Sequence, residues 1–417
     1  MTEPEIVILG PFPNGLTVLL EPMQDVRSAA WTILTPAGAV AEPRGKNGAA
    51  IALCDWLLRG AGDRDNRALS GEFDRWGVQR HESVTSTHLA FHGAALGDHL
   101  AEILPLYADV LRRPHLAEEE FEAVMIGVEQ TLLGMEDDPR QKVMVDLARQ
   151  SYADPWGRSP EGSLKDLPRI DERTVRRLAK EGVRPAGTIF GIAGQLDVPR
   201  LSAQIEELFG DWASTTTPQP LPAPGAFQVT KTTIEQPTSQ THIGVAYPSV
   251  PYKHADFYAA WAVVDVLSGG MSSRLFTEIR EKRGLCYSVS ASLHTTPEEG
   301  RVFCYAGSAP ERAQETLDVL ISELRRLPQG IAEEELQRCK ARAKSALIMA
   351  QESTGSRAGS LARDWFHLGR VTTLEEIRQR IEALTVQDLL KYIERFPAQD
   401  LTVLTVGPNA LVSAGSE

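Results

Sequence analysis

The chain has 417 residues, and because single hydrophobic cores rarely grow past about 250 to 300 residues, this length predicts two domains. Hydrophobic residues make up 42% of the chain and charged residues 24%, as in folded globular proteins, so intrinsic disorder and fibrous architectures are excluded. Lys and Arg number 43 against 56 Asp and Glu, and the net charge of -13 is opposite to that of most nucleic-acid-binding proteins. We therefore expect no nucleic-acid partner.

The cysteines and the first residues bear on the compartment. Four cysteines lie far apart without a C-x-x-C pair, which fits neither a zinc finger nor a dense disulfide framework. The opening segment MTEPEIVILG has no basic stretch followed by a long apolar one, and no apolar run of roughly 18 residues occurs in the chain. We expect reduced thiols, no membrane span and a soluble, cytoplasmic protein, with a periplasmic location only if an export signal was removed.

Strand and helix patterns interleave along both halves of the chain. TVLLEP from Thr17, SAAWTIL from Ser28 and LTVLTVG from Leu401 predict strands. NGAAIALCDWLLRG from Asn47 and HLAEILPLYADVLRR from His99 have the apolar spacing of helices. These patterns predict an α+β fold in which each half is a mainly antiparallel sheet with helices packed on one face.

The sequence contains an internal repeat. LRRPHLAEEEF from Leu111 reappears as LRRLPQGIAEEEL from Leu324, with the shared AEEE offset by 215 residues. The helical segments that open at Thr174 and Thr385 match at an offset of 211, and IAGQ matches TVGP at an offset of 213. Three matches at nearly one offset predict two copies of one fold.

A proline-rich segment separates the two copies. STTTPQPLPAPGAF, from Ser214 to Phe227, contains four prolines and a threonine run, which suit an extended linker and not a helix or a central strand. The sequence thus predicts a first half at 1–213, a linker at 214–227 and a second half at 228–417.

Several common catalytic motifs are missing. No G-x-G-x-x-G follows a strand and no G-x-x-x-x-G-K-[ST] occurs, so the usual dinucleotide and nucleoside triphosphate cradles are absent. G-x-S-x-G is also missing, so the chain lacks the most easily recognised sequence motif of serine hydrolases. Kinase and Rossmann-type functions are therefore not expected.

The segment GAVAEPRGKNGAAIALCDWLLRGAG, from Gly38 to Gly62, resembles the strand, loop and zinc helix of the pitrilysin/insulinase-type zinc metallopeptidases. The resemblance spans nearly the whole chain and is greatest to their short bacterial and mitochondrial-processing-type members. Asn47 is a good helix N-cap, the apolar run from Ala49 to Leu58 is helical, and Arg59 with Gly60 makes a sensible C-terminus. In active relatives this helix carries H-x-x-E-H.

The zinc motif itself is degenerate in this chain. The chemistry needs two imidazoles one helical turn apart to hold zinc and a carboxylate to act as base for the bound water. The matching positions are Ile51, Cys54 and Asp55, so both histidines and the glutamate are gone. We therefore expect no catalytic zinc in this chain.

The third zinc ligand of active relatives, a glutamate, is also not assured. The resemblance places it in VEQTLLGMEDDP, where Gln130 or Thr131 stands at the matching position and Glu129 is close.

Two other groups of residues could provide a catalytic or metal site instead. Cys54 and Asp55 could act as a nucleophile with an orienting acid, but an apolar helix position favours a core cysteine. His81, His88 and His92 could form a displaced metal site, but on a strand His88 and His92 lie about 13 Å apart. Surface or hydrogen-bonded histidines are favoured.

The segment SGGMSSRLFTEIREKRGLCYSVSA, from Ser268 to Ala291, carries the most specific part of the resemblance. In the family, an Arg and a Tyr at this spacing bind substrate and stabilise the transition state opposite the zinc, which implies these roles for Arg280 and Tyr287. An Arg at a helix end and a Tyr at the start of the next strand can converge on a peptide carbonyl. Taken singly, Arg280 could instead cap its helix and Tyr287 could pack in the core.

The residues around this pair support further expectations. After Gly284 the alternation places Tyr287 on one strand face with Val289, Ala291 and Leu293. Gly284 itself is expected to be a left-handed C′ glycine.

Two further segments are candidates for substrate contact. Ser268, Gly269 and Gly270 either line a substrate channel or form a plain tight turn. Gly38 with Ala39 to Ala41 matches the place where the family presents an edge strand for peptide addition, although the edge used is expected to be the partner's if the partner holds the zinc.

The chain has the family's Arg and Tyr but lacks the zinc ligands and the base. This combination indicates that the catalytic groups are shared between two subunits. The resemblance implies a heterodimeric metallopeptidase, in which a homologous H-x-x-E-H subunit supplies the zinc and the base. This chain would contribute Arg280 and Tyr287 and hold no cofactor of its own. The substrates would be unfolded peptides. The alternatives are a catalytically inert structural subunit, as in respiratory-complex core subunits, and a homodimeric peptide-binding protein.

Overall fold

The computed structural model describes residues 6–214, 216–217 and 219–411. Residues 1–5 of the opening segment therefore lie outside the described residues, as do Thr215 and Pro218 of the predicted linker. The described residues between 214 and 227 form neither helix nor strand.

The first half contains a six-stranded sheet and a short two-stranded ribbon. Its strands are β1 (Val7–Leu9), β2 (Thr17–Pro22), β3 (Ser28–Pro36), β4 (Gly60–Ala61), β5 (Arg64–Asp65), β6 (Gln79–Val84), β7 (His88–Leu96) and β8 (Ile189–Gly194). The sheet has the strand order β1-β2-β8-β3-β7-β6, and β4 pairs with β5. Only the β2–β8 pair is parallel in this sheet.

The second half contains a five-stranded sheet. Its strands are β9 (Lys231–Glu235), β10 (Thr241–Ser249), β11 (Cys286–Thr295), β12 (Gly300–Ser308) and β13 (Thr402–Gly407). The order is β11-β12-β10-β13-β9, with β9–β13 as its parallel pair. When the strands are listed from β6 in the first sheet and from β11 in the second, the first five strands follow each other in the same order, and in both sheets the fourth and fifth strands form the parallel pair. The α+β fold with two mainly antiparallel, homologous halves is therefore confirmed.

Thirteen α-helices and a π-helical turn are found in the described part of the chain. The helices are α1 (Ala49–Trp56), α2 (Asn66–Arg75), α3 (Leu100–Arg112), α4 (Glu118–Glu136), α5 (Pro139–Ser151), α6 (Glu172–Gly182), α7 (Val198–Phe209), α8 (Phe257–Ser268), α9 (Ala313–Arg326), α10 (Glu333–Glu352), α11 (Thr354–Leu368), α12 (Leu374–Ala383) and α13 (Val386–Arg395). The π-helical turn spans Phe276–Glu281.

The chain divides into two compact units that do not follow the two sequence halves throughout. Unit 1 comprises 1–133, 158–222 and 348–372, and unit 2 comprises 134–157, 223–347 and 373–417. Unit 1 thus contains α11 from the second half of the sequence, and unit 2 contains α5 from the first half. The contiguous division at 214–227 remains a prediction about the sequence repeat.

Helix α11 covers the second face of the sheet in unit 1. Ala30 and Trp31 are neighbours on β3 and therefore point to opposite faces. The Trp31 ring packs edge-on against Tyr107 of α3, whereas Ala30 packs with Ala358 of α11. A sheet with helices on one face only was expected, and the apolar residues on both sides of β3 are the reason that a second helix layer forms.

Helix α5 has the equivalent place in unit 2. A Cβ atom at Gly244 on β10 would lie 3.0 Å from Leu147 and 3.2 Å from Val143, both on α5. Its strand neighbours Ile243 and Val245 belong to the core on the other face. The glycine lets the helix approach the strand closely.

A buried ion pair fixes α11 on the sheet of unit 1. The guanidinium of Arg357 donates to both carboxylate oxygens of Glu21 on β2, at 2.8 and 2.7 Å. The side chains are only 4% and 2% exposed. Such a bidentate pair offsets its own desolvation, but removing one partner leaves an uncompensated buried charge.

Replacing Arg357 with alanine is expected to lower the free energy of unfolding by about 3 to 5 kcal/mol, because Glu21 would remain buried and unpaired. Urea unfolding followed by circular dichroism measures the change. The double variant Glu21→Leu/Arg357→Met should recover most of the loss, and Arg363→Ala on the same helix should cost less than about 1 kcal/mol. Equal losses for Arg357→Ala and Arg363→Ala would contradict this role.

Candidate functional site

Helix α1, which matches the zinc helix of the family, begins differently from the sequence prediction. Its N-cap is Gly48 at φ +124°, so the assignment of Asn47 as the N-cap is wrong. The Asn47 amide donates instead to Glu42 at 2.7 Å and to the Ser159 carbonyl at 2.8 Å. The helix ends at Trp56 and not at Leu58.

The carboxylate of Glu42 satisfies the first N–H groups of α1. Its Oε1 accepts hydrogen bonds from the backbone N–H of Gly48 at 2.9 Å and of Ala50 at 2.8 Å. Burial raises the pKa of Glu42 from its usual 4.5 to about 7, although the hydrogen bonds and the charge of Arg158 oppose the rise. A negative group at a helix N-terminus is favourable, but the raised pKa shows that the cost of burying the charge is larger than this gain.

The positions that match the zinc ligands line a surface cavity of about 430 Å³. Ile51 offers no ligand atom. Cys54 is only 2% exposed, and burial, with smaller contributions from Glu82 and Asp55, raises the pKa of its thiol far above the usual range. Because zinc binds thiolate, a thiol held protonated is a poor ligand.

The carboxylate of Asp55 is engaged in an ion pair. Arg59 Nη2 lies 3.0 Å from Asp55 Oδ2, and Arg59 Nη1 lies 3.0 Å from Glu120 Oε2 on α4. No group of three or more His, Cys, Asp or Glu side chains suited to a metal ion exists among the described residues. The residues present at the family's zinc position therefore do not fit a zinc ion.

The candidate third-ligand positions lie far along α4. Glu129, Gln130 and Thr131 are exposed, and the Thr131 hydroxyl bonds within its own helix. Helix α4 meets α1 where Phe121 packs on Trp56, with ring centroids 4.8 Å apart. At 1.5 Å rise per residue, positions 129 to 131 lie about 12 to 15 Å beyond this contact.

The histidines of the alternative metal site are not gathered together. His88 is buried against Phe366, and burial lowers its pKa to about 3. His81 and His92 face each other across β6 and β7 with ring centroids 6.4 Å apart. Among the described residues, the hydrogen-bond contact of the Cys54 sulfur is a long one, 4.0 Å, to the backbone carbonyl of Ser83, and the nearby carboxylates of Glu82 and Asp55 raise its pKa instead of activating it.

The segment at Gly38 is not an open edge strand. Ala39–Ala41 forms a 3₁₀ turn, and Ala39 and Val40 are buried. The N–H groups of Gly38, Ala39 and Val40 donate to the backbone carbonyls of residues 85 to 87, so they are not available to a peptide. The expectation of an edge strand here is therefore corrected: the sheet of unit 1 ends at β1 and β6.

Ser268, Gly269 and Gly270 form the end of α8 and the turn after it. A Cβ atom at Gly269 would fall 2.1 Å from Asp265 Oδ1 and 2.3 Å from Arg342 Nη2, two groups that form an ion pair. Gly269 is therefore required by the close approach of this pair, whereas Gly270 is exposed with room around it.

The segment after this turn carries Arg280 at the end of the π-helical turn 276–281. Gly284 follows at φ +58°, so its prediction as a left-handed glycine is confirmed. Its N–H donates to the Arg280 carbonyl at 3.0 Å, and the N–H of Leu285 donates to the Ile279 carbonyl at 2.9 Å. These bonds turn the chain sharply from Arg280 into β11.

A β-bulge at the start of β11 exposes Tyr287. Cys286 pairs with Ser308 and Ser288 pairs with Gly307, so Tyr287 is the extra residue of the bulge. The bulge changes the alternation, and Tyr287 is 79% exposed while Cys286 is buried. The prediction that Tyr287 shares a face with Val289 is therefore wrong.

The structure brings Arg280 and Tyr287 together. The guanidinium carbon of Arg280 lies 5.0 Å from the centroid of the Tyr287 ring and 4.8 Å from that of Phe276. No carboxylate among the described residues lies within ion-pair distance of this guanidinium. Phe276 was not singled out from the sequence; its position four residues before Arg280 on a helix was the available signal.

Comparisons with known proteins agree with this fold. A sequence profile described as Insulinase (Peptidase family M16) matches residues 17–159, and one described as Peptidase M16 inactive domain matches residues 170–343. An uncharacterized zinc protease of Rickettsia felis is 25% identical over 400 residues, covering 95% of this chain and 97% of the relative. The zinc protease YmxG of Bacillus subtilis is 24% identical over 400 residues with the same coverage.

Solved structures with similar folds cover nearly the whole chain. A peptidase M16 inactive domain from Pseudomonas fluorescens has a TM-score of 0.90 at 18% identity, covering 98% of this chain and 99% of its own. A chain of Complex III2 from Candida albicans has a TM-score of 0.83 at 17% identity, covering 97% and 96%. This chain belongs to the insulinase family of peptidases, family M16.

No helix within 6–214, 216–217 and 219–411 has the length and apolar character to cross a membrane.

The raised pKa of Glu42 predicts a pH dependence of stability. The folded state holds this proton more tightly than the unfolded state, so stability falls as the pH rises from 4.5 to about 7, by about 3 kcal/mol at most. Unfolding free energies of the wild type and of Glu42→Gln, measured between pH 4.5 and 8, test this. The slope should be smaller in the variant; an unchanged slope would assign it to other groups.

Replacing Gly284 with valine should strain the turn that joins Arg280 to β11, because a β-branched residue disfavours positive φ. Gly369 at φ +66° is a matched control, since a Cβ atom at either glycine meets no atom within 4 Å. Both valine variants should lose about 1 to 2 kcal/mol of stability. Only Gly284→Val should shift the resonances of the Arg280 and Tyr287 side chains in NMR spectra; equal shifts in both would refute the local role.

Proposed function

We propose that this chain is the non-zinc-binding subunit of a heterodimeric metallopeptidase, in which Arg280 and Tyr287 bind peptide and stabilise the transition state at a partner's zinc. The partner is a homologous subunit with an intact H-x-x-E-H motif, which supplies the zinc and the base. The substrates are peptides in an extended, unfolded form.

The observation that carries the proposal is the contrast between the two candidate sites. The positions of the zinc motif hold an aliphatic side chain, a buried thiol and a carboxylate bound to Arg59. Arg280 and Tyr287 are in contact, and the Tyr287 ring is exposed. A guanidinium and a phenol side by side offer a charged donor and a neutral one to an oxyanion that develops on a peptide carbonyl.

Two alternatives are tested by the same experiment. A catalytically inert structural subunit would have no need of an exposed Arg and Tyr pair, although a chain of Complex III2 from Candida albicans has a similar fold. A homodimeric peptide-binding protein would hold peptides without a second kind of subunit. Neither accounts for the degenerate zinc helix together with the retained Arg280 and Tyr287.

The experiment compares peptidase activity in complexes purified through this chain from its source cells. Arg280→Ala is expected to lower the activity of the complex at least about 100-fold, the usual cost of removing one transition-state donor. Tyr287→Phe, which removes only the hydroxyl, should lower it less.

Arg283→Ala is the matched control, because it removes one cation three residues away that is already paired with Glu278. Its activity should stay near that of the wild-type complex. A complex without peptidase activity would favour the structural subunit, and an active complex indifferent to Arg280→Ala would remove the assigned role.

A further inference from the structure

The guanidinium of Arg280 differs from the other cations of its segment. Arg274 is paired with Glu335 at 2.7 Å, and Lys282 and Arg283 are paired with Glu278 at 2.6 and 2.7 Å. Arg280 has ring contacts to Phe276 and Tyr287 but, within the described part of the chain, no hydrogen-bond acceptor. Its five N–H donors are therefore not used by these residues.

The chemistry of a ring-flanked guanidinium selects its ligand. The faces of aromatic rings attract a guanidinium cation without accepting conventional hydrogen bonds from it, so the N–H donors of Arg280 stay available to a ligand. A planar, bidentate acceptor with negative charge matches this arrangement best, and a carboxylate has this geometry. A neutral peptide carbonyl offers one oxygen and no charge.

The position of Arg280 relative to β11 indicates which carboxylate is bound. Strand β11 is an edge strand of the sheet in unit 2 and begins at Cys286, directly after the turn that carries Arg280. An extended peptide that pairs antiparallel with β11 would have its C-terminus at the beginning of this strand. A parallel peptide would bring its N-terminal ammonium group to the same place, where the charge of Arg280 repels it.

We propose that Phe276, Arg280 and Tyr287 form a carboxylate-binding site for the free C-terminus of an extended peptide that pairs antiparallel with β11. Arg280 binds the carboxylate, Tyr287 contributes its exposed phenol, and Phe276 positions the guanidinium. The inference rests on the proposed function in taking a peptide as the ligand, but the binding belongs to this chain and needs neither zinc nor a partner.

The test uses the full chain alone and two six-residue peptides, acetyl-Val-Ser-Val-Thr-Val-Ala with a free C-terminal carboxylate and the same peptide as its amide. Isothermal titration calorimetry should show at least about tenfold tighter binding of the free acid. This comparison is made on the wild type and is independent of any effect of mutation on folding. Equal affinities for acid and amide would overturn the proposal.

A third peptide separates the two sources of a carboxylate. The amide acetyl-Val-Ser-Val-Thr-Val-Glu-NH₂ carries only a side-chain carboxylate, and it should bind no better than the uncharged amide. If it binds as tightly as the free acid, the ligand is an acidic side chain and the assignment to the C-terminus is wrong.

Variants identify the binding residues. Arg280→Met should abolish the preference for the free acid, while Arg283→Met, the matched control, should keep it. Phe276→Leu should reduce the preference and Phe276→Tyr should restore it, because the ring face and not the side-chain volume positions the guanidinium. An acid preference that survives Arg280→Met would overturn the site.

The two proposals fail in different experiments. An inactive complex would remove the peptidase subunit and leave the carboxylate site standing if the isolated chain prefers the free acid. An active complex that depends on Arg280, together with equal binding of acid and amide, would keep the peptidase subunit and remove the carboxylate site.

Discussion

Each sheet of this protein has two apolar faces, and the second face of each is covered by a helix from the other half of the sequence. In unit 1 that helix is α11, fixed by the buried pair of Arg357 and Glu21, and in unit 2 it is α5, packed on Gly244. Neither sheet is therefore completed by its own half of the chain. The described residues of the segment between the two copies of the repeat contain no regular structure, so each unit depends on a helix supplied by the other half of the sequence.

The two halves differ at matching strands. Beside β6 in unit 1, the positions on α1 that resemble the family's zinc motif hold no donor set suited to zinc, and Asp55 forms an ion pair with Arg59. Before β11 in unit 2, the π-helical turn and the bulge are both irregular, and their combined effect is to place Arg280 against an exposed Tyr287. Irregular backbone of this kind is frequently found at functional sites.

The sequence predicted the repeat, the α+β class, the left-handed Gly284 and the family, because these depend on periodicity, offsets and local backbone preference. It did not predict the exposure of Tyr287, since one bulged residue reverses the alternation of a strand and leaves no mark in composition. It assigned the cap of α1 to Asn47, whereas the distant Glu42 provides it through two backbone hydrogen bonds. The sequence also could not predict that α5 and α11 each pack on the sheet formed by the other half of the chain, because local sequence patterns do not specify long-range packing.

The central claim is that the metal of the proposed peptidase is not held by this chain. The direct measurement is the zinc content of two samples, determined by elemental mass spectrometry. One sample is the chain purified alone from zinc-containing buffer, and the other is the pair that it forms with an H-x-x-E-H subunit. The account predicts less than about 0.1 zinc per isolated chain and about one zinc per pair. About one zinc per isolated chain, lost on Asp55→Ala, would contradict it.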